Sequence, residues 1–71
     1  MRIDVDVGHK KDGFEDVSRI IHENGGEIVS VGNSPDSVEN RVYYFRLKKC
    51  PDKPIVKALK KRGYKVLSSE Q

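Results

Sequence analysis

A single cysteine, Cys50, leaves the chain without any internal disulfide. It lies between Lys49 and Pro51 at the end of a strand-like segment and reads as a half-buried or surface-proximal thiol, because no neighbouring base is placed to activate it. The lack of a Cys-x-x-Cys pair excludes a soft-metal carrier, and His9 and His22 stand most of a helix apart, so no metal or other cofactor is expected. No apolar run approaches the roughly 18 residues of a membrane span, and no signal-peptide pattern is present. A cytoplasmic protein without membrane contact is therefore expected. Linkers, fixed-period repeats and low-complexity tracts are also missing, which leaves one domain over residues 1–71.

So short a chain buries only roughly 60% of the surface its unfolded form exposes. With neither disulfide nor metal to staple it, association with another copy or with a larger parent protein is the expected source of extra stability. The net charge is +3, unevenly spread: Lys48–Lys65 holds eight basic residues against the single acid Asp52, whereas most acids precede it. A basic second half forms either a solvated helix face or an electrostatic patch for nucleic acid.

Ile3, Val5 and Val7 alternate with Arg2, Asp4 and Asp6, the period-2 pattern of a strand with one buried face. Asp12 stands at an N-cap position with Glu15 at capping-box spacing, and Phe14, Val17, Ile20 and Ile21 then fall on one helical stripe. Asn24-Gly25-Gly26 supplies a left-handed stop, and Ile28–Val31 reads as a short second strand. Asn33–Asn40, with Pro35, is a polar connection expected to be mobile. Arg41–Lys48 is a third strand, with Tyr43, Phe45 and Leu47 on one face. A second helix runs from about Asp52, the expected cap, to Arg62. Gly63 stops it and Tyr64–Ser68 makes the last strand. Either Tyr64 and Val66 or Lys65 and Leu67 face inwards.

The order βαββαβ, with right-handed crossovers, predicts an α+β ferredoxin-like sandwich: a four-stranded antiparallel sheet of order 4-1-3-2 with both helices on one face. Asp4, Asp6, Val42, Tyr44 and Arg46 belong on the face without helices, where Asp4 or Asp6 can pair with Arg46. The topology serves many functions, so the residues must decide among them. An RNA platform needs several outward aromatics, and here carboxylates share the open face with Tyr44 alone. An enzyme needs an arginine cradle and a positioned nucleophile; Gly8-His9-Lys10-Lys11-Asp12-Gly13 has basic residues without that set, and no catalytic residue is assigned.

The first strand, the loop ending in Gly13, the stripe of Phe14, Val17, Ile20 and Ile21, and Gly25-Gly26-Glu27-Ile28-Val29-Ser30-Val31 resemble an ACT domain. Arg41–Leu47, Pro54–Leu59 and Gly63–Leu67 are most similar to the C-terminal ACT domain of CBS-ACT proteins of the acetoin-utilisation B type. The resemblance covers nearly the whole chain. Because the chain opens directly on a strand, an ACT-like domain excised from a longer CBS-ACT regulatory protein is expected.

The resemblance implies a non-catalytic module that forms homodimers or higher oligomers, binds an amino acid or related metabolite, and acts on CBS domains of a parent chain. It implies ligand contacts from His9, Lys10, Lys11, Asp12, Gly13 and Phe14 in the first loop, with Ile28 and Ser30 from the second strand of a partner copy. A glycine at the helix start would let a ligand carboxylate reach free backbone N–H groups. The sequence departs from the family at Asp12, where proline is usual and whose capping carboxylate would fill the anion site, and at Glu27, where asparagine is common. Two alternatives stay open: a pairing domain without ligand, and a nucleic-acid-binding module using the basic second helix.

Overall fold

The computed structural model describes residues 1–8, 10–33 and 42–70. The elements are β1 (Arg2–Asp6), α1 (Gly13–Glu23), β2 (Ile28–Asn33), β3 (Val42–Leu47), α2 (Lys53–Lys61) and β4 (Lys65–Glu70). All neighbouring strands run antiparallel in the order β2-β3-β1-β4, the ferredoxin-like arrangement expected from the element order. The expected connection at residues 34–40, and Arg41, lie outside the described residues.

The core forms where the apolar faces of the sheet and helices meet. Ile3, Val5 and Val7 from the first strand, Phe45 and Leu47 from β3, Val17, Ile20 and Ile21 from α1, and Ile55 and Leu59 from α2 are all buried. Phe14 closes one end of this core, its ring 5.1 Å from Tyr43 and 6.0 Å from Phe45. Of the two alternatives for β4, Tyr64 and Val66 face inwards. A bulge decides this: Val5 pairs with Val66 and Asp4 with Ser68, so Leu67 is an extra residue turned outwards and 48% exposed.

Both helices end in the same way. Gly25 (φ +92°) and Gly63 (φ +88°) take the left-handed conformation that side chains disfavour. The following N–H groups, of Gly26 and Tyr64, then donate back to the carbonyls of Ile21 and Leu59 at 2.9 and 3.0 Å.

The helix starts differ from expectation. Neither Asp12 nor Asp52 makes a side-chain capping bond. Their backbones (φ −108°, ψ 28° and φ −84°, ψ −26°) lack the extended conformation that would bring the carboxylate over the first turn's N–H groups. The Asp52 carboxylate instead accepts a hydrogen bond from the Ser69 hydroxyl at 2.7 Å.

The open face carries Asp4, Asp6, Val42, Tyr44 and Arg46 in register as expected, but without the expected bond to Arg46. Asp4 faces Tyr44 and Asp6 faces Val42 across the β1–β3 ladder, while Arg46 faces Arg2. Asp4 accepts from Arg2 at 2.8 and 3.1 Å and from Ser68 at 2.9 Å. Asp6 turns to the backbone N–H of Gly8 at 2.8 Å.

Candidate functional site

Four of the eight candidate residues lie on the loop between β1 and α1, and two more, Gly13 and Phe14, open α1. His9 lies outside the described residues. Lys10, Lys11 and Phe14 come together with Val7, Glu15 and Tyr43 around a hollow of about 300 Å³. Its chemistry is mixed: an apolar and aromatic part from Val7, Phe14 and Tyr43, with lysines and one carboxylate around it. Asp12 is exposed beside a neighbouring hollow and makes no capping bond to α1.

Gly13 has a packing role of its own. It is buried, and a Cβ added there would lie 2.8 Å from the Val7 Cβ. The glycine is required by the close approach of α1 to the end of the first strand.

Lys10 is engaged by the fold itself. Its ammonium donates to the Arg62 carbonyl at the C-terminus of α2 (3.1 Å) and lies 4.3 Å from the centre of the Tyr64 ring. It thereby meets the negative end of α2 and the electron-rich face of an aromatic at once. Lys11 enters no ion pair among the described residues, which makes it the loop's available cation.

Behind Lys10, a second hollow of about 470 Å³ is lined by Asp12, Asp16, Arg19, Arg62 and Tyr64 among others. Asp16 organises it, accepting from the Tyr64 hydroxyl (2.5 Å), from Arg19 (2.5 Å) and from Arg62 with both oxygens (3.1 Å each). The tyrosine hydrogen bond, aided by the two arginines, holds the Asp16 carboxyl below its usual range against the opposing effect of burial. Burial and the adjacent carboxylate push the Tyr64 phenol up to about 12. Asp16, Arg19, Arg62 and Tyr64 are thus partnered with one another, and the cluster braces α1 to the end of α2 and the start of β4. Only Asp16–Arg19, at helical spacing, could have been read from the sequence; Arg62 and Tyr64 are brought in by the tertiary fold.

The two strand candidates are separated. Ile28 pairs with Leu47 and Ser30 with Arg46, so Val29 is an extra residue and strict alternation is broken. Ile28 consequently sits with the core, while Ser30 lies on the open face near Arg2, Tyr44 and Arg46. Neither residue lines the loop hollow. Glu27, at the start of this segment, is paired with Lys48 at 2.8 Å, and that bond lowers its pKa and raises that of Lys48.

Among the described residues no group of three or more histidine, cysteine, aspartate or glutamate side chains is placed to hold a metal ion. No helix among them is long and apolar enough to cross a membrane. The α2 lysines Lys53, Lys57, Lys60 and Lys61 are exposed along a helix whose inner side is Ile55 and Leu59. No protein family, curated protein or solved structure matches this chain.

Proposed function

We propose that the chain is an ACT-like regulatory module that pairs with a second copy and takes a small anionic metabolite, of the amino-acid class, in the loop hollow. The observation that carries this reading is the convergence of Lys10, Lys11 and Phe14 on one hollow with Val7 and Tyr43. An aromatic wall beside an unpaired ammonium suits a ligand with an apolar part and a carboxylate. Glu15, on the same rim, suits the amine of such a ligand.

Pairing is supported by the edge strand β2. Five of its six residues are exposed, including Val29 (60%) and Val31 (38%), and its outer backbone groups face away from the sheet. A partner strand along that edge would cover the valines and bring the partner's Ser30 or Ile28 towards the loop. Ligand occupancy would then bias the arrangement of the two copies and of CBS domains attached to them, provided the ligand favours one arrangement over the other.

The test is a thermal-shift screen against the amino acids, run alongside light scattering. A ligand at 100 times its dissociation constant adds about 2.7 kcal/mol, enough to raise the midpoint of so small a domain by roughly 10–20 °C. A shift abolished by Lys11→Ala supports sensing. A flat screen with a dimeric mass reduces the reading to pairing alone, and a monomeric mass at high micromolar concentration removes pairing too.

A further inference from the structure

The open face of the sheet holds two arginines directly opposite each other, since Arg2 and Arg46 are register partners in the β1–β3 ladder. Like charges at opposed positions destabilise a sheet. Arg2 is compensated: Asp4 binds its guanidinium through two hydrogen bonds and raises its pKa, and Glu70 stands opposite it on β4. Arg46 is exposed and enters no ion pair among the described residues. The fold gains nothing evident from this cation at this position.

Its surroundings form a hollow of about 340 Å³, lined by Arg2, Ser30, Val31, Gly32, Tyr44 and Arg46. The Arg2 guanidinium lies 5.0 Å from the centre of the Tyr44 ring, which helps to fix the aromatic in place. The register partner of Tyr44 on β2 is Gly32, and a Cβ built there would meet nothing within 4 Å. The flank of the ring towards β2 therefore stays open. Asp4 and Asp6 are turned to Arg2, Ser68 and the Gly8 N–H, and Glu70 lies beside Arg2 and Arg46 outside this hollow, which is itself lined by cations, a hydroxyl and an aromatic with Val31 and Gly32.

We infer that this hollow binds a nucleotide, with its base against Tyr44 over Gly32 and its phosphate on Arg46. An aromatic ring offers any base a stacking surface, and arginine binds phosphate through paired N–H donors. The volume lies at the lower end of ligand sites, which span about 300–1,000 Å³, and suits one nucleotide. The same chemistry is presented by a free nucleotide and by one unit of a single strand. This site is on the opposite face of the sheet from the loop hollow and does not depend on the metabolite reading.

The test titrates AMP and, separately, a short oligouridine into the protein at low salt, with fluorescence or calorimetry as readout. Two variants carry it. Arg46→Gln is expected to weaken binding at least tenfold and flatten its salt dependence. Gly32→Val fills the hollow at a position with free space and is expected to abolish binding with an unchanged or higher melting temperature, since valine suits a strand better than glycine. Saturable AMP binding with this pattern identifies a free nucleotide as the ligand; binding of oligouridine alone, with the same pattern, identifies a strand. No saturable binding of either probe overturns the inference. So does binding that survives Gly32→Val but is lost in Lys57→Gln/Lys60→Gln, which would move the contact to α2.

Discussion

Replacing Tyr64 by phenylalanine isolates one bond. The ring is buried and its hydroxyl donates to Asp16 at 2.5 Å, whereas the ring itself belongs to the core cluster and would be retained. A hydrogen bond to a charged acceptor contributes about 1.5–3 kcal/mol. Asp16 keeps Arg19 and Arg62, so no unpaired carboxylate is left behind and a loss of about 2 kcal/mol is expected. For a domain of this size total stability is roughly 4–10 kcal/mol, and the melting midpoint near neutral pH should fall by roughly 8–15 °C.

Burial of the same phenol, together with its bond to Asp16, makes an alkaline prediction. The phenol rises from 10.0 to about 12 on folding, so the stabilisation is complete below pH 10 and is lost as pH climbs from 10 towards 12. At about 1.4 kcal/mol per pH unit the loss is on the order of 2–3 kcal/mol. Ultraviolet titration should show a phenol ionising near pH 12 in the native protein and none there in Tyr64→Phe, while denaturant melts at pH 9 and pH 11.5 should show a smaller alkaline loss in the variant. A midpoint change under 2 °C at neutral pH, together with an alkaline limb unaltered by the substitution, would refute the argument.

Further outcomes follow from other positions. Gly13→Ala should destabilise by about 1–3 kcal/mol in chemical denaturation, because its Cβ would lie 2.8 Å from that of Val7. Asp16 has a lowered pKa, so its contribution is present above about the ordinary carboxylate value of 3.8 and disappears as pH falls through the folded-state value; Asp16→Asn should flatten that acid limb of the stability curve. Val31→Lys places a charge on the exposed β2 edge and should shift light-scattering mass towards one chain while leaving the circular dichroism spectrum unchanged.

Local rules carried the fold a long way. Alternation in the first strand and the stripes of α1 and α2 depend on residues close in sequence, and so do the two glycine stops. The bulges are different: Val29 and Leu67 become extra residues only because β3 and β1 impose a two-against-one pairing, and nothing in either segment announces it. Their effect is large, since one sends Ile28 and Ser30 to opposite faces and the other selects which half of β4 is buried. The caps failed for a related reason. Asp12 and Asp52 have suitable side chains, but their backbone angles, which residue type does not fix, do not aim them. At the candidate site the loop lysines and Phe14 were legible from sequence, while the commitment of Lys10 to Arg62 and Tyr64 depends on residues more than fifty positions away.

The position of β1 between β3 and β4 has a consequence for synthesis. Ile3 and Val5 leave the ribosome well before either strand that will flank them, and the second of those strands ends only at Glu70. A nascent chain halted near Gly63 would hold a central strand with one edge bare and with Tyr64 missing from the core beneath it. Closing the sheet thus waits for the last few residues of β4, and until they emerge the strand with the most buried residues of the four is the one in need of protection from neighbouring chains.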